Sequence, residues 1–378
     1  MRCDIIIPIW GQLDLTRECI ERIFDTTRYP YRLILIDNAS EDDTKKYLEG
    51  LRRERPDIVL VRNEHNLGFV KAVNQGLRLS DGQYVCVLNN DTIPATGWLE
   101  SMAAFAQTHG DVGLINPQCD GHMDKTIELH AEELRSHRGE YMEMNQCQGF
   151  CMLIKREVIE KIGYLDESFG IGGFDDTDYS MRAHMAGYRS VSIKDAYVYH
   201  RLHGSFNKSG DREEWVRRNQ KIYYDKWGKH KRIAVAAGID PSDAGSVTNL
   251  VMFAYGLARE WSWVHIWLNT RRGKGKAVEA IARSCADNKL PPHQNIRIDH
   301  LDLPETLFRV VVFGKLLERM RKRMRDKRFD MVVASDRAVA KMASAFARAV
   351  NISFTESCAD WQKRGRETAL SIGRKRIS

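Results

Sequence analysis

The chain has 378 residues, 43% hydrophobic and 29% charged, a balance that suits a globular protein of two or three domains and excludes fibrous, disordered and single-small-module classes. Its net charge of +7 is uneven: residues 229–378 hold 29 Lys and Arg against 15 Asp and Glu, net +14, leaving residues 1–228 with 29 against 36, net −7. That shift predicts two parts, 1–228 and 229–378.

Cys3 to Ile9 is a continuous apolar, β-rich run and is predicted as the first strand, followed by a helix with Leu15, Cys19 and Ile23 on one face. Tyr31 to Ile36 is predicted as the second strand, closed by the turn-forming Asp37-Asn38-Ala39-Ser40, and Ile58 to Val61 as the third. A helix carrying Phe69, Val73 and Leu77 leads to a fourth strand, Tyr84 to Leu88, which runs straight into Asn89-Asn90-Asp91. Such alternation implies a mostly parallel sheet covered by helices, with ligands bound beyond the carboxyl ends of its strands. Asp37 and Asn89 to Asp91 stand at two of those ends.

Beyond residue 116 the alternation breaks down, through a polar stretch and a short strand, Phe150 to Ile154. Gly170 to Gly173 then places three glycines in four residues before Phe174-Asp175-Asp176-Thr177-Asp178 and a helix through Ala186. A glycine-flanked acidic loop of this kind is a plausible active-site element.

From about residue 230 a second βα alternation is predicted. Its strands are Arg232 to Gly238, Trp263 to Leu268, Asn295 to Asp299 and Met331 to Ala334; its helices are Val247 to Arg259, Lys276 to Cys285 and a long one, Leu307 to Arg328, with a further helix after the last strand. The end of the long helix carries Arg319, Arg321, Lys322, Arg323, Arg325, Lys327 and Arg328.

The succession Asp4-Ile-Ile-Ile-Pro8-Ile-Trp10, Ile36-Asp37-Asn38-Ala39-Ser40, Asn66-Leu67-Gly68-Phe69 with Asn74 and Gly76, Leu88-Asn89-Asn90-Asp91 and Gly173-Phe174-Asp175-Asp176-Thr177-Asp178 strongly resembles family 2 glycosyltransferases of the GT-A fold. The resemblance covers roughly 60% of the chain, in order and in register. It implies an α/β fold with a mostly parallel mixed sheet, and inverting transfer of a sugar from a nucleotide diphosphate sugar to a hydroxyl acceptor with Mn²⁺ or Mg²⁺.

Each motif then has a physical task. A divalent cation neutralises a diphosphate leaving group, and oxygen ligands suit it. Asn89-Asn90-Asp91 occupies the place of the family's D-x-D motif, and Asp91, its only carboxylate, is assigned to the metal; a strand-end turn is the plainer reading of the tripeptide. His200, in Tyr197-Val-Tyr-His200-Arg-Leu-His203, matches a histidine that completes the metal site in relatives and supplies the ligand that Asn89 does not; His203 competes with it. By family position Asp37 contacts the base or ribose, with a helix cap as the alternative. Pro8 and Trp10 shape the adjoining wall. Asn66, Gly68 and Asn74 resemble the segment around the donor, although Asn66 can equally cap the helix that begins there.

An inverting enzyme needs a base for the acceptor hydroxyl, and a carboxylate serves best when neighbouring charge or burial raises its basicity. The family's acidic pair aligns with Asp175-Asp176, and its second member, Asp176, is assigned as base with Asp175 assisting; Asp178 is read as a favourable charge at a helix start. Gln148-Gly149-Phe150-Cys151 resembles the segment lining the acceptor side. Trp215, Tyr223, Tyr224 and Trp227 suit stacking on sugars, but their helical spacing favours packing between the two parts.

The second part lies outside that pattern and resembles in architecture the N-terminal Rossmann-like half of a GT-B glycosyltransferase, smaller than a full enzyme. It is read as an accessory docking domain or as a piece of a longer protein. Its basic clusters, including Arg374-Lys375-Arg376, suit contact with phosphate-rich lipid headgroups as well as plain solvation; no RNA module or zinc finger accompanies them, and no specific nucleic acid is expected. There is no run of 18 apolar residues, and the eight cysteines show no C-x-x-C spacing. Both favour a cytoplasmic protein with reduced thiols, with peripheral contact on the inner face of the membrane as an option; the resemblance implies extension of a surface polysaccharide, lipid-linked glycan or glycoprotein. The rival classes are a nucleotidyltransferase acting on sugar phosphates, disfavoured because no basic glycine-rich loop follows the first strand, and a noncatalytic binding protein using the basic region.

Overall fold

The computed structural model describes residues 1–41, 43–119, 126–201, 212–270, 273–321 and 328–372. His203, Lys322 to Lys327 and Arg374 to Arg376 lie outside them. The chain folds into two compact units, Met1–Asp225 and Lys226–Ser378.

The first unit begins with β1 (Cys3–Ile9), α1 (Leu13–Thr26), β2 (Tyr31–Asp37), α2 (Asp43–Glu54), β3 (Val59–Arg62), α3 (Phe69–Leu79) and β4 (Tyr84–Leu88). It continues with β5 (Thr92–Pro94), α4 (Trp98–Thr108), β6 (Val112–Gln118), α5 (Ile127–Leu134), β7 (Tyr141–Met144), β8 (Cys151–Lys155), α6 (Arg156–Ile162), α7 (Asp175–Met185), β9 (Arg189–His200) and α8 (Arg212–Trp227). The strands form one sheet in the order β3-β2-β1-β4-β8-β6-β9-β5, with β7 paired to β9. β1 to β4, β6 and β9 run one way; β5, β7 and β8 run against them.

Central strands covered on both faces are apolar throughout rather than alternating. β1 has six buried positions of seven, and every residue of β4 is buried. Strand order reverses at β1, whose neighbours are β2 and β4, and this is where open α/β sheets bind ligands. The β1–β4 ladder stops at Ile6↔Val87, whereas β1 pairs with β2 as far as Ile9↔Asp37. Pro8, with no N–H to donate, therefore sits where β1 has already lost its β4 partner. The pairing of these two strands ends there, and Trp10 and Asn89 follow their carboxyl ends.

At the opposite end of β1, Asp4 is fully buried and receives Arg32 at 2.9 and 3.1 Å and the amides of Asp81 and Gly82. Burial works against its charge, but these donors outweigh it and hold the carboxyl below its ordinary range. Asp4 belongs to the framework.

The second unit contains β10 (Arg232–Gly238), α9 (Ala244–Arg259), β11 (Trp263–Asn269), α10 (Lys274–Asp287), β12 (Ile296–Leu301), α11 (Glu305–Arg321), β13 (Met331–Ala334), α12 (Arg337–Ala343), β14 (Arg348–Asn351) and α13 (Trp361–Leu370). Its five strands lie in the order β12-β11-β10-β13-β14, all pairs parallel, so it is a second α/β domain of Rossmann type. Of the long basic helix expected over Leu307 to Arg328, α11 is described from Glu305 to Arg321, residues 322–327 lie outside the described residues, and Arg328 stands in a bend.

Helices α9 and α13 cross at two glycines. A Cβ at Gly256 would fall 2.1 Å from the Gln362 carbonyl oxygen, and one at Gly365 would fall 2.2 Å from that of Phe253. Backbone cannot yield as a flexible side chain does. Gly256→Ala is expected to destabilise this unit by about 1–3 kcal/mol, read as a lowered midpoint of its thermal unfolding; an unchanged midpoint would refute the crossing.

Candidate active site

The donor side of the site is built by amides and one buried ion pair. Asn38 N–H donates to the Ile9 carbonyl at 2.7 Å, locking the ends of β2 and β1 together. Asp37, 2% exposed, accepts the Ser40 amide at 2.8 Å and an ion pair from Arg62, which also donates to the Ser40 carbonyl at 2.8 Å. Asp37 thus closes its own turn rather than capping α2, which starts six residues later. Asn66 Oδ1 accepts Asn38 Nδ2 at 2.6 Å and the Gly68 amide at 2.8 Å, and Asn38 Oδ1 accepts the Leu67 amide at 2.9 Å. The N-cap of α3 is Gly68, with no side-chain cap, so Asn66 braces the turn and does not cap the helix. Trp10 is 50% exposed at the mouth.

Gly68 has φ +84° and its missing side chain faces the Gly170 carbonyl, which a Cβ would approach to 2.9 Å. Only glycine admits this backbone at that distance. Asn74 lies elsewhere than expected: it is 1% exposed, donates to the Leu165 carbonyl at 3.0 Å and Glu167 at 3.1 Å, and accepts the Leu165 amide. Its polar atoms are spent on that loop, which rules it out as a donor contact.

Beyond β4 the three residues of Asn89-Asn90-Asp91 diverge. Asn90, 5% exposed, donates to Thr16 Oγ1 of α1 at 2.9 Å and is fixed there, against the expectation of a donor contact. Asp91 is 7% exposed, and its Oδ1 lies 3.1 Å from His200 Nε2. The pairing is set by the sheet: Thr92 of β5 stands opposite His200 of β9, and the Arg201 amide donates to the Asp91 carbonyl. Asn89 Oδ1 is buried without a hydrogen-bond partner. A convergent carboxylate and imidazole suit a divalent cation. Protein groups alone do not complete such a site: no cluster of three or more His, Cys, Asp or Glu is found among the described residues. Phosphate oxygens or water must fill it.

The acidic pair opens α7. Asp176 Oδ2 accepts the Gly149 amide at 3.0 Å, and Oδ1 accepts the Thr177 amide at 2.7 Å and hydroxyl at 3.2 Å. Asp175, 4% exposed, accepts only the Gly173 amide, at 2.6 Å. Burial first, then the adjacent Asp176 charge, push Asp175 up to about 7; burial raises Asp176 as well, against the donors from Gly149 and Thr177. Asp178 is fully buried and bound by Arg182 at 2.9 Å, a framework role.

The turn at 148–150 joins the two halves. Gly149 holds Asp176, the Phe150 carbonyl accepts the Asn89 amide at 2.8 Å, and the Phe150 ring stacks on His200 with centroids 5.2 Å apart. Asn116 of β6, which no motif singled out, fixes that turn through Gln148 and Cys151 at 2.6–2.9 Å. Asp37 sits about 10 Å away in strand spacings, two strands across from β4 at the same sheet edge. The structure therefore brings Pro8, Trp10, Asp37, Asn66, Gly68, Asn89, Asp91, His200, Asp175 and Asp176 to one end of one sheet. Of the four aromatics near the end of this unit, Tyr223 and Tyr224 pack on Phe174 within the unit, at 5.6 and 6.4 Å. Arg62 and Asn116 escaped sequence reasoning; an Arg ending the strand beside Asp37 was the available signal.

Residues 4–163 match the glycosyl transferase family 2 model. An uncharacterized protein, y4gI, of Sinorhizobium fredii is 28% identical over 250 residues, 60% of this chain but 27% of that protein, so the match spans about a quarter of its length. Glycosyltransferase GlyG of Streptococcus pneumoniae is 22% identical across 63% of this chain and 82% of its own. Among solved structures, the Pyrobaculum calidifontis mannosyltransferase PcManGT in complex with GDP-Man and Mn²⁺ aligns over 85% of this chain and 81% of its own, at 17% identity and a TM-score of 0.44.

Proposed function

Taking as premise that the chain is a glycosyltransferase whose residues 4–163 belong to glycosyl transferase family 2, we propose that it transfers a sugar, with inversion and with a divalent cation, from a nucleotide diphosphate sugar to a hydroxyl of a glycan, lipid-linked or protein acceptor. The observation that carries this reading is the pairing of Asp91 with His200 at 3.1 Å, linked through Phe150 and Gly149 to Asp176.

A cation held by Asp91 and His200 would neutralise the charge that gathers on the departing diphosphate. Asp37 and its Arg62 partner, with the Asn38–Asn66 turn, form the wall for the nucleoside, and Trp10 covers the mouth. Asp176 takes the proton of the acceptor hydroxyl as its oxygen bonds the anomeric carbon and the bond to diphosphate breaks, the electron pair leaving with the nucleoside diphosphate. Asp175, buried beside Asp176, raises the basicity of the pair.

A pH dependence follows from that pair. Both carboxyls of the pair are raised, so kcat/KM should rise with pH along an acid limb that lies above the ordinary carboxylate range. Stability should move oppositely: the folded state holds the extra proton above the ordinary carboxylate range, so the pair costs stability as pH rises from about 4 toward about 7. An acid limb at about 4 would contradict the buried pair.

The second unit is proposed as an accessory domain. Its helices α9, α12 and α13 begin with Asp243, Asp336 and Asp360, each accepting amides of its own first turn. A carboxylate already on a helix start opposes a phosphate there. No helix among the described residues is long and apolar enough to cross a membrane; docking on an anionic membrane surface through the basic charge, and a place on the cytoplasmic side, belong to this proposal.

The test is a panel of nucleotide sugars assayed with Mn²⁺ for binding and for slow release of nucleoside diphosphate, with a chelator as control. Turnover that ignores the chelator would remove the cation from the reading. Pyrophosphate release from a sugar 1-phosphate and a nucleoside triphosphate would replace it with nucleotidyl transfer.

A further inference from the structure

The segment that delivers the acidic pair is held in a conformation its own sequence does not favour. Gly170, Gly172, Gly173 and Phe174 have φ of +57°, +117°, +90° and +69°. Glycine tolerates the left-handed region, but phenylalanine there is strained, so the neighbours must impose it.

Two sides of the loop are visibly pinned. On one, the Gly170 carbonyl accepts the Val70 amide at 3.2 Å and meets the bare face of Gly68. On the other stands α8. Asn219, 2% exposed, directs its Nδ2 to three loop carbonyls: Phe169 at 2.8 Å, Gly172 at 2.9 Å and Gly173 at 3.1 Å. Two residues further on, α7 begins with Asp175, which accepts the Gly173 amide. The opposite end of the Asn219 amide, Oδ1, is buried without a partner. A side chain buried at the expense of its own acceptor is held for its donors.

We propose that Asn219 is a positioning residue for transfer: by gathering the carbonyls of Phe169, Gly172 and Gly173 it sets the start of α7, and with it the place of Asp176 against the acceptor. It touches no substrate in this account. The inference rests on the assignment of Asp176 as base and adds a control from α8 that no motif of the active site contains. Misplacing a base by about 1 Å can cost 10²-fold in rate while leaving the donor wall untouched. The wall formed by Asp37, Arg62, Asn38 and Asn66 has no hydrogen bond to Asn219.

Asn219→Asp separates donation from packing, because it keeps the shape and replaces two N–H donors by an acceptor facing three carbonyls. The expected result is a fall in kcat of about 10- to 100-fold for Mn²⁺-dependent release of nucleoside diphosphate from the nucleotide sugar that the panel identifies, with the dissociation constant of that sugar changed less than twofold. Asn219→Ser, which retains one donor, should fall between this variant and the parent. Full kcat in folded Asn219→Asp overturns the inference, and so does an equal loss in donor affinity. If that variant does not accumulate folded, full kcat in Asn219→Ser overturns it instead. Asp176→Asn assayed alongside keeps the two claims apart: an inactive Asp176→Asn with a fully active Asn219 variant refutes only the positioning role, whereas an active Asp176→Asn refutes the base itself.

Discussion

Asp176→Asn is expected to lower transfer by about 10²- to 10⁴-fold, the usual contribution of a positioned general base, while the donor and its cation bind as before. The side chain keeps its shape and loses the ability to take a proton. Its environment makes the substitution demanding, because Oδ2 faces the Gly149 amide and Oδ1 the Thr177 amide, both of them donors. An asparagine NH₂ must turn toward one of them, and a stability loss of about 1–3 kcal/mol accompanies the change. Asp176→Ala removes that conflict and should lose transfer as completely. Donor affinity measured by calorimetry and turnover measured by nucleoside diphosphate release decide the matter. Turnover within threefold of the parent in both variants would transfer the role of base to another group.

The second large effect is at the cation. Asp91→Ala removes the one carboxylate of its tripeptide and leaves His200 facing an empty position. A loss of several kcal/mol of charge stabilisation on the leaving group corresponds to about 10²- to 10³-fold in turnover. Unlike the Asp176 variants, this one should also bind Mn²⁺ and the nucleotide more weakly. His200→Ala should share that pattern in smaller measure, since one ligand is lost but no charge. Phe150, stacked on the imidazole at 5.2 Å, orients the ring and should tolerate Leu poorly. Equal Mn²⁺ affinity in the parent and Asp91→Ala would place the cation elsewhere.

The contrast between the two variants follows from the way the site is divided. The cation side hangs on β4, β5 and β9; the base hangs on the glycine loop, α7 and the turn at 148–150. They communicate through Phe150, by its carbonyl to Asn89 and its ring to His200. A change on one side therefore need not alter affinity on the other.

In the first 90 residues β1, β2, β4, α1 and α3 were legible because each is a largely buried run or a strongly periodic one, and local pattern decides both; α2 was not read from the sequence, and β3 is only four part-exposed residues. The region after β4 was not legible. β5 has three residues, β7 has four, and β6 and β9 pair with shifted register, so long-range hydrogen bonding rather than sequence period defines them. The same distinction runs through the site. Asp91, His200, Asp175 and Asp176 became candidates because a short motif carries each one, and the structure sets Asp91 against His200 and Asp176 against Gly149. Asn74 and Asn90 share those motifs yet serve the framework, and only their partners, the 165–167 loop and Thr16, reveal it. Arg62, Asn116 and Asn219 act from outside any motif, through carbonyls and carboxylates distant in the chain, and only Arg62, at the end of its strand, left a signal to read.

The central claim is that Asp91, His200, Asp176 and Asp37 surround one metal-bound nucleotide diphosphate. The direct measurement is a crystal structure grown with Mn²⁺ and the nucleoside diphosphate of the donor that the panel identifies, with Mn²⁺ located by its anomalous signal. The account predicts Mn²⁺ within bonding distance of Asp91 and His200, the diphosphate on its open side, the nucleoside against Asp37, and Asp176 facing the vacant acceptor space. Mn²⁺ and nucleotide seated together anywhere else, with Asp91 and His200 still bonded only to each other, would contradict it.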